Sequence, residues 1–135
     1  MSTQIFVNLP VKDLNKSVAF FKQLGYSFNP QFTDENATCM IISDTIYVML
    51  LTEPFFKTFT KKQICNTSKS IESIICLSAE SRAAVDKLVE AAKQAGGLDT
   101  EDANDQGFMY SRAYEDLDGH RWEIMWMDPS AVNPS

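Results

Sequence analysis

Apolar residues recur along this chain in two rhythms, a short strand-like one and a longer helical one, and the sequence of rhythms comes round twice. Residues 4–9 read as a strand. Leu14, Val18, Phe21 and Leu24 follow at spacings of four, three and three, which place them on one helix face. Asp13 stands where an N-cap belongs and Gly25 just past the end, where a left-handed residue closes a helix. Strand-like runs come next at about 37–42 and 45–51, with Asp44-Thr45 between them as a turn. The second round opens on the apolar strand Ile74-Ile75-Cys76-Leu77. Ser78 or Ser81 caps a helix with Val85, Leu88, Val89 and Ala92 on one face, and Gly96-Gly97 ends it. Strands at about 108–114 and 121–127 complete the pattern. The connection from Thr52 to Ser70 is polar and lysine-bearing but carries Phe55, Phe56 and Phe59, so it reads as either a lid or a tucked-down linker.

The last two strands form a hairpin. Asp118-Gly119 is a tight-turn signal, because Gly takes positive φ at no steric cost and Asp bonds its own backbone. A turn centred on Leu117-Asp118 pairs residue 115 with 120 and, by the same register, Arg112 with Glu123. Alternation puts Arg121, Glu123, Met125 and Met127 on one face and Trp122, Ile124 and Trp126 on the other, the natural core face. The same register puts Tyr110 and Tyr114 on the Arg112 face.

Two stretches carry a family resemblance. Residues 9–26, LPVKDLNKSVAFFKQLGY, and residues 115–123, EDLDGHRWE, resemble the first strand-to-helix segment and the C-terminal motif of the glyoxalase/bleomycin-resistance/extradiol-dioxygenase group, the vicinal oxygen chelate superfamily. The resemblance spans about residues 4–128. It implies an α+β fold of two βαβββ modules, 1–52 and 70–135, with 53–69 as linker or lid. Together they would make one domain, a cup-shaped mixed β-sheet with helices outside. The pattern is also similar to lactoylglutathione-lyase-like members, and it implies a homodimer.

In that family metal ligands come from the first and last strand of each module. Carried over, these positions fall on Phe6, Met49, Ile74 and Glu123, and only Glu123 bears a ligand-type side chain. A catalytic divalent ion needs about three protein donors, and the chain has a single histidine. No cofactor is therefore expected. The inner face implied by the resemblance gathers Phe6, Asn8, Tyr47, Met49, Tyr110, Arg112, Tyr114, Glu123 and Met125, mostly apolar with a few polar tips, which is how a small-molecule site is built. The Arg112–Glu123 pair either neutralises a residual ligand position or grips a polar ligand. His120 is read as a turn residue that bonds the turn backbone, with general-base use as the alternative. The expected function is metal-free binding of a small organic molecule. The alternatives are a metal-dependent lyase, isomerase or dioxygenase, and a metal-independent enzyme using Glu123 and Arg112.

Composition narrows the setting. Of 135 residues 44% are hydrophobic, with nine Phe and two Trp, so the chain can bury a core. A net charge of −6 with no basic block argues against nucleic acid or an anionic membrane as partner. The longest unbroken apolar run, Ile46 to Leu51, is far too short to span a bilayer, and no signal peptide is expected. Cys39, Cys65 and Cys76, odd in number and without C-x-x-C spacing, read as buried free thiols of a cytoplasmic protein.

Overall fold

The computed structural model describes residues 2–100 and 103–132. The chain divides into two units, Met1–Asn66 and Thr67–Ser135, each built on one sheet.

The first unit runs β1 (Ile5–Val11), α1 (Leu14–Gln23), β2 (Ser27–Asn29), β3 (Ala37–Ile41), β4 (Ile46–Thr52) and a short α2 (Glu53–Phe56). The sheet order is β1-β4-β3-β2, with β1 parallel to β4 and the other pairs antiparallel. The parallel pair needs a crossover, and α1 begins it. The Asp13 carboxylate accepts the Lys16 N–H at 3.0 Å, and Gly25 closes the helix at φ 101°. Alternation then sorts the strands. Leu9, Val48, Leu50 and Met40 share one face and are 4% exposed or less, and Phe20 and Phe21 of α1 are buried as well. Phe6, Asn8, Tyr47 and Met49 share the opposite face.

The second unit repeats the plan: β5 (Ile74–Ser78), α3 (Arg82–Gln94), β6 (Leu98–Asp99), β7 (Asn104–Asp105), β8 (Met109–Glu115) and β9 (Arg121–Met127). Its sheet runs β5-β9-β8-β6, with β7 also pairing β8, and β5 is parallel to β9. Of the two serines read as possible caps, Ser81 is the one used, its hydroxyl accepting the Ala84 N–H at 3.0 Å. Trp122 and Ile124 are fully buried together with Val85, Val89 and Ala92 of α3. The short strands β2, β6 and β7 complete the modules. Among the described residues no helix is long and apolar enough to cross a membrane.

The closing hairpin corrects the register expected from sequence. Glu115 pairs with Arg121, Arg112 with Ile124 and Ala113 with Glu123. The loop holds three residues, not two: Gly119 N–H donates to Asp116 O at 3.0 Å, Asp116 N–H donates to His120 O at 3.0 Å, and Gly119 sits at φ 79°. This is a tight turn followed by one left-handed residue. The added residue shifts every pair by one, so Arg112 and Glu123 lie on opposite faces of the sheet.

Candidate functional site

On the first unit, parallel register sets Phe6 beside Tyr47 and Asn8 beside Met49. The Phe6 and Tyr47 rings stack, centroids 4.9 Å apart and planes 13° from parallel. Phe6 is 48% exposed although it belongs to a strand. The Tyr47 hydroxyl donates to Asp44 O at 2.9 Å, and the Asn8 amide donates to Phe6 O at 3.2 Å, which fixes both polar tips. Further along the same face Pro10, Leu51, Ala37 and Cys39 are buried. Here the chain leaves β4 and turns straight into α2 and a 3-10 turn at Lys57–Phe59. Asn8 and Leu51 from the sheet, with Phe56, Phe59 and Thr60 from this returning segment, line a cleft of about 500 Å³. That size suits a small organic molecule. Leu51, Phe56, Phe59 and Thr60 were not among the site residues expected from sequence. Their signal was the phenylalanines in an otherwise polar connection.

The second unit divides the remaining expected residues between two faces. Tyr110, Arg112 and Tyr114 lie on the α3 side with Trp122 and Ile124. Tyr114 is wholly buried, its ring parallel to that of Trp122 at 6.3 Å. Arg112 is spanned by three carboxylates: Asp86 at 3.1 Å, Glu90 at 2.9 Å and Asp99 at 2.9 Å. Burial pulls its guanidinium down, but the hydrogen bonds to Glu90 and Asp86 and the charges of Asp99 and Glu90 outweigh that and raise it. Tyr110 donates to Asp86 at 2.6 Å. That bond, before burial, raises the phenol, and the same bond leads in lowering Asp86. Arg82 extends the cluster. It bonds Asp105 through both terminal nitrogens at 2.8 Å and lies over the Tyr110 and Trp126 rings at 5.1 and 5.3 Å. Arg112 thus fastens α3 to its sheet and does not pair with Glu123.

Glu123 and Met125 lie on the other face. Glu123 stands beside Cys76 on β5 and Ala113 on β8, and its nearest charge is Arg121, two residues earlier on its own strand, at 3.6 Å. Cys76 is exposed, against the expectation of burial, because it shares this face and not the core face. Desolvation, then the Glu123 charge, pushes its thiol up, which blunts it as a nucleophile. His120 is buried and holds the turn, its N–H donating to the Asp116 carboxylate at 3.0 Å.

The four positions that the family resemblance marks for metal do not make a metal site in either unit. Phe6 and Ile74 carry no donor, Met49 offers a thioether beside Asn8, and Glu123 faces a guanidinium. Among the described residues no three His, Cys, Asp or Glu side chains are placed to hold an ion. The donor chemistry does not fit a catalytic divalent metal.

Residues 3–43 match the family described as bleomycin resistance protein-like N-terminal. No curated protein matches the sequence. Among solved structures, a hypothetical protein from S. aureus is 29% identical, with a TM-score of 0.78 over 93% of this chain and 95% of that one. A glyoxalase/bleomycin resistance protein/dioxygenase family enzyme from Burkholderia phytofirmans shares the fold at a TM-score of 0.79 and 15% identity, over 93% of this chain and 99% of that one. A fosfomycin resistance protein from Mesorhizobium loti does so at 0.67 and 13%, over 93% and 92%. The N-terminal match covers residues 3–43, and the two-module fold is the one seen in solved glyoxalase/bleomycin resistance/dioxygenase and fosfomycin resistance proteins.

Proposed function

We propose that this protein binds a small organic molecule without a metal, on the face of the first unit's sheet that carries Phe6, Asn8, Tyr47 and Met49. The observation that carries the reading is the Phe6–Tyr47 stack, with Phe6 exposed, on the same sheet face as Asn8, which lines the cleft of about 500 Å³. Stacked rings left in solvent are costly unless something covers them, and a planar or apolar ligand gains dispersion and burial there. Glu123 with Met125 forms a second, more polar patch on the other unit. The metal-dependent lyase and dioxygenase readings lose support because the carried-over positions lack donors. The gripping role considered for Arg112 loses support because three carboxylates already hold it. We also propose a cytoplasmic homodimer. The three free cysteines suit a reducing compartment. The exposed Ile5, Phe6 and Ile74 on the outer strands β1 and β5 suit a second copy.

A thermal-shift screen of aromatic and amphiphilic compounds tests the binding. A ligand at a hundred times its Kd adds about 2.7 kcal/mol, which raises Tm by roughly 10 °C. Phe6→Ala and Tyr47→Ala should each weaken a hit by about tenfold. Tight, stoichiometric uptake of Ni²⁺, Zn²⁺, Mn²⁺ or Fe²⁺ by the purified protein would overturn the metal-free reading.

A further inference from the structure

We infer that the ligand of the first-unit cleft is an anionic amphiphile: an apolar or aromatic body carrying a carboxylate or sulfonate head. The inference rests on the binding reading above and names the class of molecule that the site takes. The charge of the chain is distributed unevenly. It is −6 overall, yet residues 54–66 hold Lys57, Lys61 and Lys62 and no Asp or Glu. This cationic stretch is the one that lines the cleft, through Phe56, Phe59 and Thr60. Each lysine is a close chain neighbour of a lining residue: Lys57 follows Phe56, and Lys61 and Lys62 follow Thr60. All three lysines are exposed and have no carboxylate partner among the described residues.

The segment is also shaped by its own bonds. The Thr58 hydroxyl donates to Phe55 O at 2.7 Å, the Thr60 hydroxyl accepts the Lys62 N–H at 3.1 Å, and Phe55 meets Phe59 edge-on at 5.2 Å. Phe59 is 69% exposed at the cleft it lines. An apolar lining that includes Leu51 and Phe56, on a segment that carries three exposed lysines, complements a molecule with one greasy end and one negative end. A neutral apolar ligand would leave the lysines unused, and a cationic one would be repelled.

Two dyes that differ by one charge test the assignment. 8-Anilinonaphthalene-1-sulfonate and uncharged N-phenyl-1-naphthylamine share their rings, and each is titrated by fluorescence against the folded protein. The sulfonate should bind one to one, about tenfold tighter than the neutral dye, since three exposed charge contacts act together. Its advantage should shrink between 50 and 500 mM salt, over which the Debye length shortens about threefold. The triple variant Lys57→Gln, Lys61→Gln, Lys62→Gln should bring the two dyes level while leaving the neutral dye and Tm unchanged. Phe59→Ser, at an exposed position, should weaken both. Decanoate should displace the sulfonate dye better than decanol does.

Equal binding of both dyes, untouched by the lysine variant, would overturn the anionic assignment and leave the pocket reading standing. Failure of both dyes to bind would remove the pocket reading as well. Sedimentation with phosphatidylglycerol vesicles, without one-to-one dye binding, would overturn the assignment in favour of a lipid surface.

Discussion

The Asp116 carboxylate accepts hydrogen bonds from the Asp118 and His120 backbone and from the Trp122 indole, all at 2.9–3.0 Å. Those three bonds wind the chain through one residue more than the shortest hairpin, and Gly119 takes the left-handed position that results. Sequence reading found the turn and its glycine but counted one loop residue too few. The reason is physical: Asp118-Gly119 is the visible signal, whereas the length of the loop is set by a side chain that reaches back from position 116. The Arg112 assignment failed with the count. At Gly119 a Cβ would meet the Thr67 hydroxyl oxygen at 2.5 Å, and that hydroxyl bonds Asp118 O. Gly25 also has positive φ but has open space where a Cβ would go. Gly119→Ala should therefore destabilise the protein more than Gly25→Ala. The backbone term is about 1–2 kcal/mol for each, and the clash adds about 1 kcal/mol or more at Gly119 alone. Urea unfolding of the two variants checks the difference.

At the scale of elements, helices were more legible than strands. Asp13, Ser81 and Gly25 act as read, because a cap is a local device whose partners lie within a few residues. β2, β6 and β7 are two or three residues long, too short for any period to show. The attachment of α3 to its sheet was not legible either, since its charges come from positions 82 to 112. That attachment should give stability a defined pH profile. Asp105 is held at about 2, chiefly by its bond to Arg82, and Asp86 is lowered chiefly by its bond to Tyr110. Both carboxylates stabilise the fold above their ordinary value of 3.8, and that contribution fades as pH falls toward 2. Tyr110 is raised, so its contribution is complete below its ordinary 10.0 and fades as pH rises through the shifted value. A plot of Tm against pH should be flat between these limits as far as this cluster is concerned. Asp105→Asn should flatten part of the acid arm and Tyr110→Phe part of the alkaline arm.

For the whole molecule, the repeated strand–helix–strand plan was visible because each module shows the same order of rhythms, whatever its residues. The first-unit face was legible for the same reason. Parallel pairing of β1 with β4 sets even positions of one beside odd positions of the other, and Phe6, Asn8, Tyr47 and Met49 emerge together. The cleft itself was only half legible, since its other wall comes from an aperiodic segment. The exposed apolar residues of β1 and β5 bear on assembly. Light scattering at micromolar concentration should return twice the chain mass of 15.2 kDa. A monomer mass would reject the homodimer, and those apolar edges would then need another cover.

The three-residue loop of the closing hairpin also limits how this chain can change over time. Strand faces alternate, so the loop works like a reading frame. Inserting one residue between Asp116 and His120, with the three-residue loop kept, would set Arg112 opposite Glu123 and turn one strand's core residues outward. Descendants of this sequence should accept length changes in the long connection after Thr52 and almost none here. Substitution in the hairpin is a matter of degree, but insertion or deletion there is a matter of parity.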